Sequence, residues 1–281
     1  MRADLHCHSS ASDGTRPPAE VVTRAAAAGL DALALTDHDT VAGIAAAADA
    51  LRPGLALISG MELSCRRDGH SVHLLAYLFD PEYPRLAAQT LAIRASRVDR
   101  AKAMVAKLNE LGAPVSWDQV ARIAQGGVIG RPHIARAMIE AGVVESLDEA
   151  FTAQWIGPGG RAHVRRYALD PADAIGLVHD AGGVTVLAHP FAVTRGWMVP
   201  DDLIAELASA GLDGVEVEHP DHDHGQRDHL RTVARRLGLA ATGGSDDHGT
   251  LTGDRIGCEA TGQEALDALL ARATGAAVIT R

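Results

Sequence analysis

The sequence has few aromatic side chains: tryptophan, tyrosine and phenylalanine together make up 3% of its 281 residues. A core built without them must rest on aliphatic packing, as parallel sheets covered by helices usually do. Alanine, valine, leucine and glycine are plentiful enough to supply it. Cysteine is scarce as well. Cys7, Cys65 and Cys258 form no CxxC pair and are odd in number, so no disulfide framework is expected and a reducing cytoplasm fits. An excess of basic charge is lacking: the formal net charge is -10, which argues against a broad nucleic-acid surface. It does not exclude small phosphorylated ligands, because bound cations override a global negative sign locally. No uninterrupted apolar run is long enough to span a bilayer, so no membrane partner is expected. No secretory leader pattern is read ahead of the first motif. There is also no GxSxG elbow, no Walker loop and no GxGxxG turn after a strand. Serine hydrolases, P-loop enzymes and dinucleotide enzymes are thereby set aside. The sequence leaves the oligomeric state open.

What is present reads as a soluble globular α/β chain, 47% hydrophobic and 22% charged. Apolar runs predict strands at 30–35, 55–58, 72–79, 184–188, 212–218 and 239–242, with a short last one at 276–280. Helical patterns fall between them, at 17–29, 41–51, 173–181, 201–210, 228–237 and 263–273. Regular alternation of this kind implies a parallel sheet. Between residues 81 and 161 the pattern changes. Helices are expected at 85–111, 116–124, up to 141 after Gly130-Arg131-Pro132-His133, and at 147–154, with no strong strand signal. This segment reads as a helical insertion subdomain, 81–161, set into a barrel made of 1–80 and 162–281.

Ligand-type side chains recur where the strands end. The chain opens with Asp4-Leu5-His6-Cys7-His8-Ser9, and i and i+2 residues of an extended strand point to one side. His6 and His8 can therefore present both imidazoles to one point, and Asp13 follows in a turn that folds back. Further along come His38 in Thr36-Asp37-His38-Asp39, Glu62 after Gly60-Met61, His189-Pro190, His219-Pro220, and Asp246 and His248 in Gly244-Ser245-Asp246-Asp247-His248. The C-terminal strand ends of βα barrels are where active sites are built. His73 stands apart, because it lies near the start of its expected strand; that strand either runs the other way or begins later. Burying so many ionisable groups unpaired would cost several kcal/mol each. Metal cations are the economical partner. The donors exceed what one ion takes, so two or three divalent ions are implied, with Glu62 able to bridge, and Mn, Fe and Zn all accept such mixed sites. A cluster of this type suits phosphoester hydrolysis by a metal-activated hydroxide. Asp37, Asp39 and Asp247 sit beside the donors and could orient them. His222, His224 and His229 read as a solvated Asp/His-rich loop, and His70, His163 and His179 as surface residues.

Together these motifs resemble those of PHP-domain metal-dependent phosphoesterases in order and spacing. The resemblance implies a distorted (β/α)7, TIM-like barrel holding a trinuclear metal site. It places His6, His8, Glu62 and Asp246 on one ion, Glu62, His73 and His189 on a second, and Asp13, His38 and His248 on a third. The insertion carrying Arg131 and His133 is similar to a branch that contains 3',5'-nucleoside bisphosphate phosphatases and short-RNA 5'-to-3' exonucleases. That likeness implies a lid, with Arg131 and His133 as phosphate or substrate contacts. Arg131 is also expected to neutralise charge as the phosphate is attacked, and His219, which closes a strand, to act as general acid or bind the leaving group. The expected substrate is a nucleotide carrying a 3'-phosphate, or the end of a short RNA, and no long nucleic acid. Histidinol phosphate or another sugar or polyol phosphate is the alternative within the class. A non-catalytic metal or nucleotide sensor is the alternative outside it.

Overall fold

The protein is described by a computed structural model over residues 1–192 and 197–281. It divides into two compact units, Met1–Ala88 with Ala168–Arg281, and Gln89–Tyr167. The chain begins with β1 (Ala3–Asp4), α1 (Pro18–Ala27), β2 (Ala32–Leu35), α2 (Ile44–Asp49), β3 (Ala56–Arg67) and β4 (His70–Tyr77). Four helices follow: α3 (Pro84–Glu110), α4 (Trp117–Ala124), α5 (Arg131–Glu140) and α6 (Leu147–Ala150). After α7 (Pro171–Asp180) the alternation resumes with β5 (Val184–Leu187), α8 (Asp201–Ser209), β6 (Gly214–Glu218), α9 (His224–Leu237), β7 (Ala240–Gly243) and α10 (Gln263–Leu270).

Among the described residues, the strands pair in sequence order into one seven-stranded sheet. Bridges Ala3 to Thr261 and Cys7 to Asp247 bring its two edges together, so the ring is nearly closed. β2 shows how an aliphatic sequence fills such a barrel. Its alanines, Ala32 and Ala34, join one cluster with Leu5, Ile58, Leu75 and Val186. Its leucines, Leu33 and Leu35, face the other way, against Val21, Val22 and Ala25 of α1 and Ala47 of α2. The alternation of small and large side chains follows the two-residue period of a strand. One aromatic enters the first cluster, Tyr77, and its buried hydroxyl donates to Leu5 O at 2.8 Å.

The sheet is not wholly parallel, which corrects the reading from alternation. β4 runs antiparallel to both β3 and β5. The cause is local: Arg67 pairs with His70, and the two residues between them, Asp68 and Gly69, both have positive φ, 51° and 85°. An Asp-Gly pair with both φ positive is the tight turn that joins antiparallel strands. Reversal carries the start of β4, and with it His73, to the rim where the parallel strands end. Two smaller corrections follow. The expected strand at 276–280 reduces to a single bridge, Leu57 to Ile279. The Asp/His-rich loop is mostly helix, because Asp223 caps α9 by accepting from Gln226 N while the Gln226 side chain reaches back.

At the opposite rim, His179 of α7 bonds Asp213 at 2.8 Å, and Asp213 also accepts from Thr185 N. The bond to Asp213 raises the His179 pKa above its ordinary 6.5. Burial works to raise Asp213, but the bond from His179 prevails and leaves it below its ordinary 3.8. The histidine's contribution to stability is therefore full below 6.5 and is lost as pH rises through its raised folded value. The aspartate's is full above 3.8 and is lost as pH falls through its lowered one. His179→Gln is expected to lower the urea midpoint more at pH ~5.5 than at pH ~8.5. Equal losses at both would show that the pair does not couple folding to protons.

The second unit has its own core, in which Met104 and Leu108 meet Val120, Ile134, Met138 and Ile156. Ser116 caps α4 by accepting from Gln119 N, as its sequence predicts. Among the described residues, no helix is long and apolar enough to cross a membrane.

Candidate metal centre

The rim of the first unit gathers the sequence's candidate donors. His6 and His8 lie just past β1, and their Nε2 atoms are 3.2 Å apart, as the i, i+2 spacing requires. Glu62 lies within β3, which runs on beyond β2 and stays paired with β4, and it is buried. Its Oε2 faces His8 Nε2 at 3.1 Å, His38 Nδ1 at 3.1 Å and His6 Nε2 at 3.4 Å. Its Oε1 faces His73 Nδ1 at 2.6 Å and His189 Nε2 at 2.9 Å. Asp246 Oδ1 is 3.3 Å from both His6 and His8 and 3.5 Å from His248 Nδ1. Asp13 lies 3.4 Å from His248 Nε2 and 3.7 Å from His38 Nε2. The donors group as His6, His8, Glu62 and Asp246; as His8, Asp13, His38 and His248; and as His38, Glu62 and His73.

These separations are those of a coordination sphere. Four donors held tetrahedrally at ~2.1 Å from a cation stand about 3.4 Å from one another. Glu62 Oε2 is buried among three imidazole nitrogens and has no hydrogen-bond partner among the described residues. A buried carboxylate oxygen in that position is costly unless a charge faces it, and the mixed nitrogen and oxygen set fits Mn, Fe or Zn. Burial pushes the Glu62 carboxyl up, yet the imidazoles of His38, His73 and His6 outweigh it and hold it well below the carboxylate range. Burial likewise disfavours the charged form of His8, but the facing carboxylates of Asp246 and Glu62 raise it to about 10. Without cations, protons would take over the task of neutralising the carboxylates.

The surrounding loops are held by the aspartates that the sequence placed beside the donors. Asp37 accepts from Ser9 N, Ser9 Oγ and Ser12 Oγ, and Asp39 from Ser64 N and Ser64 Oγ. Asp247 accepts from Arg16, Gly249 N and Arg255 N. These bonds to backbone amides, hydroxyls and a guanidinium fix the loops that carry the donors. His189 and Asp246 adopt positive φ, 30° and 48°. Such backbone costs about 1–3 kcal/mol a residue and persists where the surroundings over-determine it. Asp246 N donates to His6 O at 2.8 Å.

His219 is buried beside the cluster, its Nε2 3.4 Å from Asp246 Oδ2. Its Nδ1 accepts from Asp221 N at 3.1 Å. His222 is not solvated, as the sequence suggested, but 3% exposed. Its Nδ1 bonds Val217 O and its Nε2 accepts from Phe191 N, so it ties the segment after β5 to β6. Burial holds its pKa below the ordinary value. His224 and His229 are exposed on α9, where His229 bonds Asp201. His70 stacks on Trp197 at 4.4 Å. Arg131 and His133 belong to the second unit. There Arg131 lies over the Phe151 ring at 5.2 Å, and buried His133 accepts from Gly130 N at 3.0 Å. Glu216 of β6 was missed. It is buried against His6 and His189, and its only signal was an acid alternating with Val215 and Val217 in a buried strand.

Residues 4–114 match the model of the PHP domain. The chain is 37% identical over 254 residues to a 3',5'-nucleoside bisphosphate phosphatase of Chromobacterium violaceum, covering 90% of this chain and 89% of that one. It is 37% identical over 248 residues to a 5'-3' exoribonuclease of Haemophilus influenzae, covering 87% and 89%. A crystal structure from Bifidobacterium adolescentis, described as a metal-dependent phosphoesterase, superposes with a TM-score of 0.89 at 34% identity, over 97% of this chain and 96% of that one.

Proposed function

The chain belongs to the PHP-domain family of metal-dependent phosphoesterases, and from that premise we propose that it removes the 3'-phosphate of a 3',5'-bisphosphonucleotide and also shortens short RNA from its 5' end. The observation that carries the reading is Glu62, a buried carboxylate with imidazole nitrogens facing both of its oxygens. The names of the two relatives supply the substrate class. The net charge of -10 favours a small anion drawn in by local cations over a long polyanion.

Two or three ions, Mn, Fe or Zn, are assigned to His6, His8, Glu62 and Asp246, to Glu62, His73 and His189, and to Asp13, His38 and His248. When bound, such ions acidify water and neutralise charge on the phosphate oxygens. The chain's own part is to place these donors and to protonate the leaving group. His219 suits the second task. Its Nδ1 accepts a backbone N–H, so the neutral ring carries its proton on Nε2, which points into the site. That proton is available to the departing 3'-alkoxide, giving a nucleoside 5'-monophosphate and inorganic phosphate. For the same reason His219 is not counted among the metal donors. Arg131 and His133 stay assigned to the substrate's phosphate on the sequence pattern alone, where a guanidinium fork matches phosphate oxygens. Cys7, Cys65 and Cys258 form no disulfide, which supports a cytoplasmic location.

His219→Ala is expected to slow 3'-phosphate release about 100- to 10,000-fold. The loss should shrink sharply with p-nitrophenyl phosphate, whose leaving group needs no proton. Equal losses on both substrates would remove His219 from the acid role. Substrate class is decided by phosphate release with Mn present. A preference for histidinol phosphate over 3',5'-bisphosphonucleotides would overturn the nucleotide reading.

A further inference from the structure

Glu216 lies in the middle of β6 with its side chain buried, and it serves two donors that come from different strands. Its Oε1 is 3.0 Å from His6 Nδ1, and its Oε2 accepts from His189 N at 2.8 Å. The first bond fixes a tautomer. An imidazole that gives its Nε2 lone pair to a cation must carry its proton on Nδ1, and a carboxylate facing Nδ1 holds the proton there and sets the ring's rotation. His6 Nε2 is then left facing His8 Nε2, Glu62 Oε2 and Asp246 Oδ1. The second bond anchors a strained backbone. His189 has φ of 30°, and the bond from its N–H to Glu216 holds it where its Nε2 meets Glu62 Oε1 at 2.9 Å.

The packing leaves room for this arrangement and little else. A Cβ on Gly244 would meet His6 Cβ at 2.4 Å and Glu216 Oε1 at 3.1 Å. Glycine there lets the β7 edge close over the His6–Glu216 pair. Glu216 also falls in a group with His6 and His219 that could itself hold an ion. That use conflicts with the bonds it makes. Its oxygens are taken up by two N–H groups, and His6 would have to turn Nδ1 to the ion and give up the Nε2 that faces the main cluster.

We propose that Glu216 is a positioning residue of the metal centre, holding His6 as an Nε2 donor and the His189 backbone in its strained form. The inference rests on the metal-centre reading above. Glu216→Gln keeps the shape but can accept only one of the two N–H groups, because its amide nitrogen must face the other. Loss of such a supporting partner weakens metal binding about 10- to 100-fold.

The test is a Co(II) titration of the metal-stripped full chain, read by calorimetry and by the visible d–d bands, for wild type and Glu216→Gln. Expected are the same number of ions, an affinity about 10- to 100-fold lower in the variant, and altered d–d bands as His6 and His189 shift. A role in folding alone would leave those bands unchanged in the loaded protein. Wild-type affinity and bands in the variant overturn the proposal. Loss of a whole equivalent of cobalt also overturns it, by making Glu216 a ligand. If wild type takes up no cobalt, the metal-centre reading itself fails and this falls with it. Should Glu216→Gln not fold, nitrogen-15 spectra of the Zn-loaded wild-type imidazoles decide. A His6 with proton on Nδ1 and metal on Nε2 supports the proposal, and the reverse tautomer overturns it.

Discussion

Replacing Glu62 by alanine is expected to cut phosphate release about a thousandfold or more while the protein stays folded. The size follows from the site. Metal ions stabilise the transition state of a phosphoryl displacement by several kcal/mol, and each 1.36 kcal/mol is about a factor of ten in rate. Glu62 faces five imidazoles, His6, His8 and His38 from one oxygen and His73 and His189 from the other. Without it those rings keep Asp246 beside His6 and His8 and Asp13 beside His38, but cations lose the carboxylate that two of the assigned sites share. Glu62→Gln separates charge from shape: it keeps the volume, loses the charge and should fall almost as far. The measurement is steady-state phosphate release in excess Mn, with circular dichroism to confirm folding. A variant within tenfold of wild type would remove Glu62 from the centre of the chemistry.

Stripping the metals is expected to abolish turnover and to lower the melting temperature, both restored by Mn, Fe or Zn. One ion present at a hundred times its dissociation constant stabilises a fold by about 2.7 kcal/mol. For a chain of this size that is roughly 5 °C, and more if two or three sites fill. The metal-free protein partly compensates by holding protons, as the pKa of about 10 at His8 indicates. Loading must displace those protons, so it should tighten as pH rises. Calorimetric scans with and without Mn, repeated in buffers of different ionisation enthalpy, read the shift and the proton release together. Full activity and unchanged melting after exhaustive chelation would sink the metal dependence.

The sequence carried most of this site, because βα alternation puts strand ends on one rim and the donors were written at those ends. His6 and His8 needed only the strand period, and their Nε2 atoms do meet. Two things were hidden. The reversal of β4 was written in Asp68-Gly69, a turn signal masked by the stronger rhythm of the strands around it. Glu216 lay inside a strand, and nothing in one chain tells a buried supporting acid from a solvent-facing one. His222 shows the converse: its neighbours are polar, so it reads as solvated, but the backbone groups of Val217 and Phe191 draw its ring inside.

The reversed strand has an evolutionary corollary. Tyr77 and Val184 are partners in the ladder, so the chain leaves the barrel after β4 and re-enters it at β5 side by side. Residues 78–183 lie between those two partners, and the returning chain also pairs with β3, where Leu169 bridges Cys65. Segments whose ends lie together are readily exchanged, because a change in their length costs the host little closure entropy. A lineage could therefore vary that excursion without losing a donor, because His6, His8, Asp13, His38, Glu62 and His73 precede it and His189, Asp246 and His248 follow it.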